Sequence, residues 1–130
     1  ADHRPFFLIF LWLCVVFFRP MLDFRSQAEK CVYEIVSSFP TEERFALGDQ
    51  MRSSVVSIPS NIAEGYARDS KKEFRHFLAI SADSLAELET QLLICEHLNY
   101  CSTEKVTAIL NQVDEIRKML IGLRKKLSSE

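Results

Sequence analysis

Glycine and proline are scarce in this chain, three of the first and four of the second in 130 residues. Strands need turn residues at short intervals, so this scarcity argues against a sandwich or barrel and for helices joined by brief breaks. An excess of charge of one sign is also missing: 16 basic against 18 acidic residues leave a net charge of −2. A protein whose whole surface serves nucleic acid would be strongly basic, so any such role falls to a local patch. Cysteine is present without pattern. The residues at 14, 31, 95 and 101 contain no CxxC pair, which removes the basis for a zinc knuckle or redox pair. Cys31 and Cys95 read as small core residues in a reducing compartment, hence a cytoplasmic protein. The sequence holds neither a Gly-rich phosphate loop nor the G-x-S-x-G of a nucleophile elbow.

What is present is apolar residue, 48% of the chain, enough for one domain with a core that needs no disulfide or metal. Phe6 to Phe18 is unbroken apolar. As a helix it would reach roughly 20 Å, short of the ~30 Å hydrocarbon core of a bilayer. It has the length of an export-signal core but lacks the small-residue cleavage site. The amphipathic pattern begins at Met21, so residues 1–20 read as an upstream extension and residues 21–130 as the domain. Membrane contact is expected only if that leader is a working part of the protein.

Four periodic segments follow. From about 22 to 38, Phe24, Ala28, Cys31, Val32, Ile35 and Phe39 recur at spacings of three and four, the mark of one buried helical face. Pro40 ends that segment. From about 42 to 67, with Thr41 as N-cap, Phe45, Gly48, Met51, Val55, Ile58, Ile62 and Tyr66 share a face. Ser70 and Glu73 have capping-box spacing and open a third segment, in which Phe74, Phe77, Leu78, Ser81, Leu85, Leu88, Leu92 and Cys95 form the stripe. In the fourth, Val106, Ile109, Val113, Ile116, Leu120, Leu123 and Leu127 keep heptad spacing. Breaks of a few residues force successive helices antiparallel. The expected fold is all-α: an antiparallel up-down-up-down four-helix bundle.

The second segment carries the least ordinary stretch, "SIPSNIAEGYAR", Ser57 to Arg68. Pro59 lacks an amide hydrogen and crowds the Val55 carbonyl, which predicts a kink at a cost of about 3 kcal/mol. Asn61, Glu64, Gly65 and Arg68 then share one face, with Arg68 or Arg75 positioned to pair with Glu64. In an antiparallel hairpin Arg52 comes level with Leu85, near Asp83 or Glu87. These groups read first as mutual partners that set helix register, and second as a ligand or partner site at the bend. Glu73-x-x-His76 is a single motif where a di-iron bundle needs two, so no metal and no cofactor are expected. Glu87 and Glu89 face different ways on a helix and make no catalytic dyad. Arg117, Lys118, Arg124, Lys125 and Lys126 make the last helix positive toward its end, either as a dipole-matched terminus or as a patch for RNA or DNA. Leu93, Ile94, Met119 and Ile121 lie off the main seams and are expected to pack against neighbouring subunits.

"SIPSNIAEGYARDSKKEFRHFLAISADSLAELETQL", with "DQMRSSVV" before it, closely resembles the four-helix-bundle proteins encoded in intervening sequences of bacterial 23S ribosomal RNA genes. The matching positions include Arg52, Ser57, Ile58, Pro59, Asn61, Ile62, Ala63, Glu64, Gly65, Arg68, Ser84, Leu85, Glu87 and Glu89. The resemblance spans about residues 22–127 and leaves residues 1–20 outside it. It implies an antiparallel bundle that assembles into a ring, typically a homopentamer, without enzymatic activity. The chain is also similar to the accessory variability protein of diversity-generating retroelements, a basic ring that binds nucleic acid and a reverse transcriptase; this chain differs in being mildly acidic. The reading is therefore a non-enzymatic, homo-oligomeric interaction protein. The first alternative is an RNA- or DNA-binding accessory protein acting through the end of helix four. The second is an enzyme using the Asn61/Glu64/Arg68 face, which would require an unpaired Glu64.

Overall fold

Each apolar stripe becomes a helix in the computed structural model, which describes residues 19–37 and 39–128. The long helices are α1 (Arg19–Ser37), α2 (Asp49–Ala67), α3 (Lys71–His97) and α4 (Thr103–Ser128). The reading of residues 1–20 as an extension lies outside the described residues, except that Arg19 and Pro20 already belong to α1.

The entry to α2 differs from the uniform helix expected from about residue 42. One α-turn, Thr41–Glu43, leads into a π-helical turn, Arg44–Gly48, before α2 begins. Thr41 is thus the first helical residue and not the cap, a shift within the ordinary uncertainty of a helix end. A π turn takes in an extra residue and resets the phase of the faces that follow. Gly48 occupies it where α1 passes closest: a Cβ there would stand 2.7 Å from Cγ1 of Val36. A pattern search at the α-helical period cannot register this turn.

The remaining ends follow the capping signals. Arg68 donates its amide to the Gly65 carbonyl, and Asp69 takes a left-handed φ of 57°. The Ser70 side chain then accepts from the Glu73 amide at 3.3 Å. Beyond α3, Asn99 adopts φ 60° while Tyr100 donates to the Cys95 carbonyl at 2.8 Å and Asn99 to the Glu96 carbonyl at 3.1 Å. That is a Schellman closure with asparagine in the place glycine usually fills.

Packing joins α1 to α2, α2 to α3, α3 to α4 and, least closely, α4 back to α1. Partners run in opposite directions at each seam. Between α2 and α3, Met51 meets Cys95 and Ile58 meets Ser81. Between α3 and α4, Arg75 meets Ser128 and Glu89 meets Arg117. At the α1–α4 side Gln27 meets Gln112, and past the end of α1 Phe39 stacks on Tyr100. The antiparallel bundle is therefore closed in chain order. Its axis is filled by the predicted stripes, with all seven heptad residues of α4 no more than 2% exposed; Tyr66 and Phe77 are exceptions, half-buried at the margin, Phe77 because it lies over Gly65. Cys95 is in this core, and Cys31 is half-buried against it.

Candidate functional site

The quoted stretch lies along the α2–α3 seam. α2 is continuous across Pro59, whose missing amide leaves the Val55 carbonyl without its usual helical donor. The seam is lined by small polar side chains. Ser57 and Ser84 share a hydrogen bond of 2.9 Å. Asn61 Nδ2 donates to both the carbonyl and Oγ of Ser57, each at 2.8 Å, and buried Ser81 Oγ donates to the Ile58 carbonyl at 2.9 Å. Gly65 sits under α3, where a Cβ would stand 2.6 Å from Cβ of Phe77. Short side chains and a glycine let the two backbones approach. Glu64 remains outside and pairs with Arg68 at 3.0 Å, while the Arg68 guanidinium lies 5.2 Å from the Phe77 ring centroid. The predicted face therefore splits: Asn61 and Gly65 turn into the seam, Glu64 and Arg68 to solvent. Arg75 bonds Ser128 at 3.3 Å.

Arg52 is not opposite Asp83 or Glu87, as the hairpin register suggested. It pairs with Asp49 of its own helix at 3.2 Å and lines a groove of about 230 Å³ on the α1 side, with Glu29, Val32, Tyr33, Val55 and Val56. The cross-seam pairs Ser57–Ser84 and Met51–Cys95 put Arg52 level with Glu89 or beyond, roughly one turn past Leu85, and Arg52 also faces the other side of α2. Glu89 and Arg117 form an ion pair that ties α3 to α4. Glu87 is exposed on the rim of a second groove, about 350 Å³, which α2 and α3 form from Gln50, Ser53, Ser54, Ser57, Ile80, Ser84 and Gln91. The same rim continues past Leu47, Ala86, Thr90 and Ile94.

Gln91 was not singled out by sequence. It is 8% exposed, and its Oε1 is buried with no hydrogen-bond partner. Its position three residues after Leu88, inside an apolar stripe, was the available signal.

The basic residues of α4 do not form one patch. Arg117 is held by Glu89 and Asp114, and Lys118 pairs with Asp114 at 3.2 Å. Arg124 and Lys125 instead gather with Arg75, Ile121 and Ser128 around an open groove of about 470 Å³. Lys126 is exposed on the same last turn. Arg75 is the member the sequence reading missed, because it comes from another helix. Of the apolar residues expected off the seams, Leu93, Ile94 and Ile121 are exposed, and Tyr33, Val56 and Leu98 join them. Met119 is only half-exposed, because part of it packs against the core. Burial pushes the Cys101 thiol above its usual range, and the Glu96 carboxylate adds to the rise. Among the described residues, no three His, Cys, Asp or Glu side chains are grouped to hold a metal ion. No described helix is long and apolar enough to cross a membrane.

A family described as "23S rRNA-intervening sequence protein" matches residues 25–122. A crystal structure of a protein of unknown function from the S23 ribosomal protein family of Bacteroides thetaiotaomicron is similar to this chain. It is 26% identical with a TM-score of 0.73, and the match covers 82% of this chain and 96% of that one. No curated protein matches.

Proposed function

Since the chain belongs to the family of 23S rRNA-intervening sequence proteins, we propose that it is a non-enzymatic, ring-forming homo-oligomer that acts through its outer faces in the cytoplasm. The observation that carries this reading is a pair of different grooves with apolar rims on adjacent faces. Tyr33 and Val56 border the one between α1 and α2, and Leu47, Ala86 and Ile94 border the one between α2 and α3. A head-to-tail ring needs two unlike surfaces on every subunit, whereas a two-fold dimer needs only one.

Light scattering on the full chain and on residues 19–130 at micromolar concentration tests it. A single closed species of several subunits is expected from both, and a monomer from the shorter chain refutes the reading. The pairing of Glu64 with Arg68 weighs against the enzyme alternative, which needed that carboxylate free.

A second reading has one observation in its favour, the meeting of Arg75 with Arg124 and Lys125 at one end of the bundle. Repeated around a ring, this cluster would present a basic rim to RNA or DNA. Such binding weakens steeply with salt, because each neutralised phosphate releases counterions.

A further inference from the structure

We propose that the two grooves are the two halves of one contact between copies of this chain. Arg52 of one copy enters the α2–α3 groove of the next, meets Glu87 there, and, as the Gln91 amide turns toward the groove, supplies the donor that its Oε1 lacks. The inference rests on the homo-oligomer reading and adds the residues that make the joint.

The orphaned oxygen is the first reason. A buried acceptor without a donor costs about 1–3 kcal/mol, so a partner from outside the chain is favoured. Glu87 and Gln91 are four residues apart on α3 and therefore lie one turn apart on a single face. An arginine has five N–H groups in a planar fork and spans a carboxylate and a neighbouring amide oxygen together. Glu87 has no ion-pair partner among the described residues.

The second reason is the state of Arg52. Its partner Asp49 lies on the same helix, and the two side chains are 49% and 59% exposed. Such a surface pair is worth about 0–1 kcal/mol and is readily exchanged for a desolvated one. The neighbours are also complementary. Tyr33, 68% exposed, and Val56, 42% exposed, flank Arg52, while Ile94, 41% exposed, lies beside the Gln91 end of the receiving groove.

The third reason is height. One groove takes Arg52, Val55 and Val56 from α2, and the other takes Gln50, Ser53, Ser54 and Ser57 from the same turns. Two patches at one level are brought together by rotation about an axis parallel to the helices, with no slide along it. That operation closes a ring; a slide would give a filament.

The test is a charge exchange on the full chain, read by light scattering across a concentration series. Arg52→Glu and Glu87→Arg alone are each expected to raise the concentration at which the assembly dissociates at least tenfold, and together to restore assembly. Arg52→Lys keeps the charge but loses the fork and is expected to fall between parent and reversal. Thermal melts followed by circular dichroism confirm that the variants fold, since both side chains are exposed. If the parent chain is monomeric, the homo-oligomer reading itself fails, and this joint with it. If the parent assembles but single reversals leave assembly unchanged, or the double reversal does not restore it, this joint is overturned while oligomerisation stands. Arg52→Lys as tight as the parent overturns the fork onto Gln91.

Discussion

Two glycines in similar helical surroundings have opposite uses. A Cβ at Gly65 would meet Cβ of Phe77 at 2.6 Å, whereas a Cβ at Gly122 would have nothing within 4 Å. Gly65→Ala therefore forces α2 and α3 apart and is expected to cost about 1–3 kcal/mol by overpacking. Gly122→Ala fills open space on α4 and removes a flexible residue, for an expected gain of about 0.5–1 kcal/mol. Urea unfolding of the two variants beside the parent measures both signs. Cys101 gives a pH-dependent prediction. Its thiol is raised by burial, so the folded chain holds that proton more tightly than the unfolded one. Its contribution to stability is complete below the ordinary thiol pKa, about 8.5, and is lost as pH rises through that value and on to the raised one. Unfolding curves should shift to lower urea over that window in the parent and not in Cys101→Ser.

Among the elements, α4 is the one whose sequence and structure agree throughout. Its heptad positions are all buried, and the residues between them are exposed or half-buried. Leu123→Ala should cost about 2–5 kcal/mol through lost burial and a cavity, while Ile121→Ala, at 47% exposed, should change subunit stability by less than about 0.5 kcal/mol. α2 is the contrasting case. Its start is displaced by a π turn, and its face is divided between the seam, α1 and solvent. The family-matching residues Arg52, Pro59, Asn61, Glu64, Gly65 and Arg68 do not act together in one subunit. Asn61 and Gly65 serve close approach, Glu64 and Arg68 hold each other, and Arg52 is left facing outward. A residue that matches its family yet does little inside its own subunit is the kind a contact between subunits would use.

At the scale of the molecule, one end of the bundle carries a basic excess even though the total is near neutral. Arg68, Lys71, Lys72 and Arg75 near the α2–α3 turn lie at the end of the bundle where α4 brings Arg124 and Lys125. They outnumber Glu64, Asp69 and Glu73 of the same region. If this end binds nucleic acid, Arg75→Glu combined with Lys125→Glu should abolish binding to a single-stranded RNA and flatten its salt dependence. Lys118→Glu, mid-helix and already beside Asp114, should leave both unchanged. Filter binding over a salt series separates the outcomes.

Helix number, order and the faces that meet were legible in the sequence, because burial at 3.6-residue spacing is a local property that each segment carries by itself. Leu120, Leu123 and Leu127 would show the same stripe in any bundle. The level and azimuth of Arg52, the burial of Gln91, the partial burial of Met119 and the arrival of Arg75 beside Arg124 were decided only in the folded chain. Each depends on where a second helix lies, and on a π turn that resets the phase of α2, and neither is a periodic property of any one segment. The stripe thus specifies what is buried, while packing across the seams determines which polar groups are left to meet a partner.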